Sequence, residues 1–381
     1  MKICINTLSV DQTKGGIRYF LFGLIRELTN TTQGNSFYLI VSKKNKDLFR
    51  SFSEQKNVHL VTTRISSSNA IARIVSDQIE VSYLASKYDL LITPSNIASL
   101  FTRSPQVVIV QAPLAVRSIR KLIYVPKNLT SLLHKLYYST GLYLSMRKAD
   151  HIVAVSNFLH SHLSESYPFA ANKISTVHEG VSFEIKRRPE GFKPQRFILF
   201  VSSLFQYKNA DKLIEAFAIL YRKHPHLKDL SLILCGKDPD GIQLERLMAL
   251  SVKLDIEQQV EFKGHVSHEI LSKLYANCLT FVYPSSVETF GLPLLEAMAF
   301  GAPVICSDKM SVPEVAGDAA LVLDPSNTEK FVESLLSVID NSELAESLSQ
   351  KGYDRLQQFS WRNCAGQIQE IVENVLVTHK A

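Results

Sequence analysis

What this 381-residue chain lacks excludes several classes of protein. Its five cysteines, Cys4, Cys235, Cys278, Cys306 and Cys364, are odd in number and far apart, with no Cys-x-x-Cys among them. That spacing gives no support to a zinc ribbon or a dithiol redox pair, and it suits a reducing compartment in which thiols in apolar runs act as small hydrophobes. No apolar run reaches the roughly 18 residues of a membrane-crossing helix. The opening MKICINTLSVDQTKGG holds too brief an apolar stretch for the roughly 7–15-residue core of a secretion signal. The expectation is a cytoplasmic protein, neither exported nor integral to a membrane. The histidines are scattered and none forms HExxH, so no metal is expected. No GxGxxG follows a strand, which argues against a dehydrogenase. RNA-recognition, zinc-finger and helix-turn-helix signatures are absent, so nucleic acid is not an expected partner.

What is present is a soluble globular composition, 46% hydrophobic and 20% charged, on a chain long enough for about two domains. The formal net charge is +6. Much of it is spread out, but residues 116–150 combine Arg117, Arg120, Lys121, Lys127, Lys135, Arg147 and Lys148 with interleaved Leu, Ile and Tyr. This segment reads equally as a surface helix packed on a sheet and as a segment touching an anionic membrane, at the inner face of the plasma membrane.

Short apolar runs alternate with helical patterns. KICINTL, SFYLIVS, VHLVTT, LLITP, QVVIVQA, HIVAVS and ISTVHEG read as strands in the first half. RFILFVSSL, LSLILCG, VEFKGHV, LTFVYPS, APVICSD and AALVLD read as strands in the second. Between them, GGIRYFLFGLIRELT sets Ile17, Phe20, Leu21, Leu24 and Leu28 on one helical face. Such alternation predicts α/β architecture with parallel sheets covered on both faces. Residues 183–195, charged and carrying two prolines and a glycine, read as a linker. The expectation is two doubly wound, Rossmann-like domains facing a cleft: 1–182 and 196–359, with a polar-faced helical C-terminal part.

In such sheets ligands bind beyond the carboxyl ends of the strands. Gly15 and Gly16 follow the first strand, where glycines admit a phosphate or sugar close to the backbone or simply make a tight turn. Lys208 follows the first strand of the second half and could neutralise a diphosphate, or be a surface lysine. Asp238-Pro239-Asp240 spells DxD, but within GKDPDG it reads as a turn before it reads as a cation site. In SSVETFGLPLLEAMAFGAPVICSD, Glu288 lies in a loop after a strand, Gly291 turns the chain into a helix, and Glu296 lies on that helix. The helix N-terminus around Phe290, Gly291 and Leu292 offers N–H groups to phosphate. The carboxylates accept hydroxyls on either side. A nucleotide sugar has that layout.

At these residues the sequence resembles glycosyltransferase family 4, the retaining, two-Rossmann-domain (GT-B) sugar transferases. The resemblance rests on ETFGLPLLEAMAFGAPVICSD, VPEVAGDAALVLDP, FVSSLFQYKNADKLIEAF and GHVSHEILSKLYANC, and more loosely on GGIRYFLFGLIRELT and ADHIVAVSNFLHSHL. It implies that Glu288 contacts the donor sugar, Glu296 the ribose, backbone at Phe290, Gly291 and Leu292 the sugar and phosphate, and Lys208 the diphosphate. It further implies that Gly16 approaches the donor, that His265 and Val266 lie near the base, and that the helix at about 360–381 joins the first, acceptor-side domain. Two positions depart from the family pattern. Ser203 stands where an arginine is common, and Gln111 where a histidine is common; glutamine can bond a sugar hydroxyl but takes no proton.

The implied activity is transfer of a sugar from a nucleotide sugar to a glycan or lipid-linked glycan, without cofactor or metal. A nucleotide-sugar epimerase, which needs no acceptor, is the enzymatic alternative. A non-catalytic nucleotide-sugar binder is the other, favoured by Ser203 and Gln111.

Overall fold

The computed structural model describes the chain except for residues 11–14, 32–33, 66–69, 113–128, 182, 190, 240 and 381, with backbone only at 70–71, 129–135 and 380. It divides into two units, Met1–Ser182 with Phe359–Ala381, and Phe183–Gln358.

The first unit holds strands β1 (Lys2–Asn6), β2 (Ser36–Val41), β3 (Val58–Thr62), β4 (Leu90–Thr93), β5 (Gln106–Val110), β6 (His151–Ala154) and β7 (Ile174–Thr176). They form one sheet in the order β3-β2-β1-β4-β5-β6-β7, parallel throughout. The second holds β8 (Phe197–Val201), β9 (Ser231–Cys235), β10 (Val260–Gly264), β11 (Thr280–Tyr283), β12 (Val304–Ser307) and β13 (Ala320–Leu323). Their order is β10-β9-β8-β11-β12-β13, again all parallel. Every strand expected from the sequence is present. The reason is burial on both faces: LLIT, QVVIV, TFVY and VICS are buried at every position, so the strand signal is a continuous apolar run.

Helix Gly16–Thr31 buries Phe20, Leu21, Leu24, Ile25 and Leu28. The C-terminal helix Trp361–Lys380 packs on it in the first unit. Trp361 meets Phe20 edge-on at 5.6 Å between centroids. A Cβ on Gly23 would lie 2.2 Å from the Trp361 ring, and one on Gly180 would lie 2.2 Å from the Trp361 backbone nitrogen. Both glycines therefore make room for the tryptophan.

Residues 183–195 correct the reading of a linker, because they are part of the second unit. Phe183 stacks on His268 at 4.5 Å. Lys186 donates its backbone N–H to the Ala299 carbonyl at 2.8 Å. Arg188 donates its backbone N–H to Tyr353 Oη at 2.8 Å and a guanidinium N–H to the Cys278 carbonyl at 2.7 Å. The prolines and charges do prevent a helix or strand here. They do not prevent packing, which uses the Phe183 ring, backbone N–H groups and the Arg188 guanidinium.

In each sheet the strand order reverses beside its first strand, between β1 and β4 and between β8 and β11. Loops leaving adjacent strands part at such a point and leave a crevice at the carboxyl ends.

Candidate functional site

The crevice of the second unit is built by the loops after β8 and β11. After β8, a single turn of 3-10 helix, Gln206–Lys208, leads to Asn209 in the left-handed region (φ 55°), a conformation asparagine tolerates. Asn209 opens helix Ala210–Lys223. Its side-chain amide donates to the Pro284 carbonyl at 2.7 Å and to Ser286 Oγ at 2.6 Å. The Ser286 N–H in turn donates to the Tyr207 carbonyl at 2.8 Å. These bonds tie the two loops together and bring Lys208 onto Glu288. Lys208 Nζ pairs with Glu288 Oε1, and both side chains are only 12% exposed. Tyr283, the last residue of β11, donates its hydroxyl to the same oxygen. The ammonium also lies 5.4 Å and 5.7 Å from the ring centroids of Tyr207 and Tyr283, within cation–π range. Lys208 is thus a held, mostly buried cation and not a solvated surface lysine. Ser311 fixes the loop backbone by donating to the carbonyls of Glu288 and Phe290 at 3.0 and 3.3 Å.

Gly291 precedes helix Leu292–Ala299 with φ 105°, a conformation that requires glycine there. Phe290 is buried and Leu292 partly so. Pro293 has no N–H, and Leu294 donates its own to the Gly291 carbonyl at 3.0 Å. Glu296 lies one turn further on, partly buried, and its Oε2 accepts a hydrogen bond from Tyr275 Oη at 3.1 Å. Burial pushes the Glu296 carboxyl up to about 7, against the opposing pull of the Tyr275 bond. Burial and the adjacent carboxylates also push the hydroxyls of Tyr275 and Tyr283 well above their usual range.

Ser203 lies partly buried in the turn after β8 and supplies no charge. The turn is close-packed: a Cβ on Gly236, just past β9, would come 1.7 Å from the Ser202 carbonyl oxygen. His265 and Val266 follow β10, two strands from β8, the histidine exposed and the valine half-buried. Gly15, Gly16 and Gln111 belong to the first unit. Gly15 and Gly16 are exposed, and a Cβ on either would meet nothing within 4 Å among the described residues. Packing among the described residues therefore does not demand glycine at either place. Gln111 follows β5, and its N–H donates at 2.6 Å to Oδ1 of Asn96, in the loop after β4.

Of the DxD pair, Asp238 accepts a hydrogen bond from the Leu244 N–H at 2.8 Å, a contact at the start of helix Gln243–Lys253. Asp240 lies outside the described residues. Two His-x-His pairs occur, His160 with His162 and His224 with His226. Among the described residues no group of three His, Cys, Asp or Glu is placed to hold a metal.

Sequence reasoning missed Tyr275, Tyr283, Ser311 and the clamping role of Asn209. The tyrosines sit in apolar runs and read as core. The one local signal is Tyr283 at a strand end, five residues before Glu288.

Two doubly wound parallel sheets in one chain are the architecture of the GT-B fold, and solved structures of that fold match the chain. WaaG, a glycosyltransferase involved in lipopolysaccharide biosynthesis, is 16% identical with a TM-score of 0.73, covering 97% of this chain and 99% of its own. Alr3699/HepE of Anabaena, solved in complex with UDP-glucose, is 20% identical with a TM-score of 0.71, covering 98% and 100%. Residues 14–184 match the family model for Glycosyltransferase Family 4, and residues 182–355 match that for Glycosyl transferases group 1. The chain belongs to glycosyltransferase family 4. Its curated relatives include O-antigen chain mannosyltransferase B of Escherichia coli, 33% identical over 245 residues, which are 61% of this chain and 62% of the relative. The O-antigen chain mannosyltransferase RfbU of Salmonella typhimurium is 28% identical over 211 residues, 55% and 56% of the two chains. The match thus spans 62% and 56% of those relatives' own lengths.

Proposed function

We propose that the chain is a retaining glycosyltransferase that moves a sugar from a nucleoside-diphosphate sugar to a hydroxyl of a glycan or lipid-linked glycan, in cell-surface polysaccharide or glycolipid assembly. The observation that carries this is the Lys208–Glu288 pair at the switch point of the second sheet. The pair is mostly buried, and in this reading its cation serves the leaving diphosphate and its carboxylate a sugar hydroxyl. In this reading Glu288 accepts a donor-sugar hydroxyl, Glu296 accepts the ribose hydroxyls, and backbone at Phe290, Gly291 and Leu292 meets sugar and phosphate. Gly15 and Gly16 give the donor a close approach, Gln111 bonds a sugar hydroxyl, and His265 and Val266 lie near the base. The bond from the anomeric carbon to the diphosphate breaks as the acceptor oxygen bonds that carbon from the same face. The acceptor proton passes to the leaving phosphate oxygen. Lys208 stabilises the charge that grows on that oxygen.

A mannosyl donor is the first to test, because both curated relatives above are O-antigen chain mannosyltransferases. Thermal-shift measurements with GDP-mannose, UDP-glucose and the free diphosphates should show stabilisation by at least one nucleotide sugar. Transfer to an acceptor glycan should follow with that donor. Stabilisation without transfer supports the binder; conversion of the donor without acceptor supports an epimerase. Because Lys208 supplies the positive charge, EDTA should leave the rate within about twofold, on the principle that one preorganised cation can stabilise the leaving group. Loss of activity restored by manganese would point back to Asp238 and Asp240.

The proposed location is the cytoplasmic face of a membrane. On helix Leu129–Lys148 the side chains of Leu136, Tyr143 and Leu144 are exposed, beside Arg147 and Lys148. Residues 116–128 of the basic segment lie outside the described residues, and among the described residues no helix is long and apolar enough to cross a membrane. Each basic residue near an anionic surface contributes about 1 kcal/mol. Binding to phosphatidylserine vesicles should therefore be weak and fall with added salt. No binding at low salt, or binding indifferent to salt, removes this contact.

A further inference from the structure

Resting on the donor-binding reading above, we infer that Tyr283 and Tyr275 are positioning residues, each holding one motif carboxylate by a single oxygen and leaving the other oxygen to the donor. Tyr283 Oη donates to Glu288 Oε1, the oxygen that also meets Lys208. Tyr275 Oη donates to Glu296 Oε2. Among the described residues, neither Glu288 Oε2 nor Glu296 Oε1 takes a hydrogen bond. The same relation therefore occurs twice in one site, built from different elements: Tyr283 ends β11, and Tyr275 comes from helix His268–Asn277.

The rings cannot swing away. Tyr275 is 0% and Tyr283 2% exposed. Phe281 lies edge-on to Tyr275 at 5.3 Å and stacked with Tyr283 at 5.9 Å, and Phe300 stacks on Tyr275 at 6.1 Å. A buried hydroxyl needs a hydrogen-bond partner, and here each partner is a motif glutamate. A hydrogen bond to one oxygen restrains the rotation of the carboxylate. Its second oxygen then presents a fixed lone pair to an arriving hydroxyl, and the orientation is set before the ligand binds.

Two ionisable groups face Glu296, Tyr275 and Tyr283. The other elements packed on helix Leu292–Ala299, namely β12 and the helices Val312–Ala316 and Ser342–Leu356, give it no ion pair among the described residues. Arg188, also nearby, donates to the carbonyls of Tyr275 and Cys278. Losing the Tyr275 hydroxyl therefore removes the one bond that opposes the effect of burial on Glu296.

The test uses Tyr283→Phe and Tyr275→Phe in the full chain, which keep the rings and remove only the hydroxyls. Tyr283→Phe should lower kcat about tenfold with donor KM within about twofold, as expected for a contact that acts in the transition state. Tyr275→Phe should weaken donor binding about tenfold with kcat at saturation nearly kept, as expected for a contact made equally in both states. Carboxyl carbon-13 NMR of glutamate-labelled free protein should show the Glu296 titration moving upward from about 7 in Tyr275→Phe, and the Glu288 resonance shifting in Tyr283→Phe. Wild-type kinetics with unmoved resonances in both variants overturns the inference. A parallel loss of kcat, KM and thermal stability, with unmoved resonances, overturns it too and makes the hydroxyls structural. If the wild-type protein binds no nucleotide sugar, the donor reading fails by itself, and the NMR titration still shows whether the two tyrosines hold the carboxylates.

Discussion

Lys208→Ala should lower kcat by about a hundredfold or more, equivalent to at least ~2.7 kcal/mol of transition-state stabilisation. Ser203 is neutral, so Lys208 is the one motif cation in the loop after β8. Its charge counts for more as the diphosphate departs than while the donor is intact, because negative charge builds on the leaving oxygen. The structure adds a second consequence. Lys208 also partners Glu288, so its removal leaves a mostly buried carboxylate with the Tyr283 hydroxyl alone. An ion pair broken on one side costs stability as well as function. Lys208→Arg keeps the charge but changes shape and reach, and should restore only part of the rate. Initial rates at saturating donor, on variants shown to be folded by circular dichroism, decide the matter. Near-normal turnover in a folded Lys208→Ala protein would falsify the assignment.

Glu296→Gln should weaken donor binding at pH 8 by at least about tenfold, since a hydrogen bond to a charged group contributes ~1.5–3 kcal/mol. Glu296→Ala should weaken it more than Glu288→Ala does, because a ribose contact acts equally in ground and transition states. The raised carboxyl sets the pH dependence. Burial pushes the Glu296 carboxyl up to about 7, and the ionised form accepts a ribose hydroxyl in a charge-assisted bond, roughly twice as strong as the bond to the neutral acid. Wild-type donor affinity should therefore rise about tenfold from pH 6 to pH 8, as for a single titrating group, and the Gln variant should show no such rise. Stability runs the other way. The folded state keeps a proton that the unfolded chain releases near 4.5, so stability falls as pH climbs from that value through about 7. Above pH 7, Glu296→Gln should melt higher than wild type while binding donor less well. A flat donor-binding profile in the wild type, or a Gln variant that melts lower at pH 8, removes this account.

Much of the fold is legible in the sequence, for a physical reason. A strand buried on both faces must be apolar at nearly every position, so runs such as QVVIV and TFVY announce themselves without reference to their neighbours. The candidate site is partly legible for a related reason. Glu288, Gly291 and Glu296 act within one strand–loop–helix passage, so their spacing carries local meaning. The φ of 105° at Gly291 is the kind of backbone demand that a glycine signals in advance.

Other features depend on contacts between distant parts of the chain. The 183–195 segment carries linker composition, yet it docks on the second unit through Phe183 and the backbone around Arg188, and composition says nothing of such partners. Tyr275 and Tyr283 look like core aromatics, and their rings are core. Only their hydroxyls belong to the site, which shows only once Tyr275 and Glu296 are brought together from two different helices.

By itself the sequence determined the parallel α/β class, the strand set, and the carboxylates and lysine worth watching. Those follow from burial and from local backbone chemistry. The tertiary structure alone decided that Lys208 meets Glu288 across 80 positions. It also decided that each motif glutamate is held by a buried tyrosine and that Trp361 closes over Gly23 and Gly180. Each of these depends on the order of strands in a sheet or on a helix returning from the far end of the chain. Such distances close only when the whole core packs.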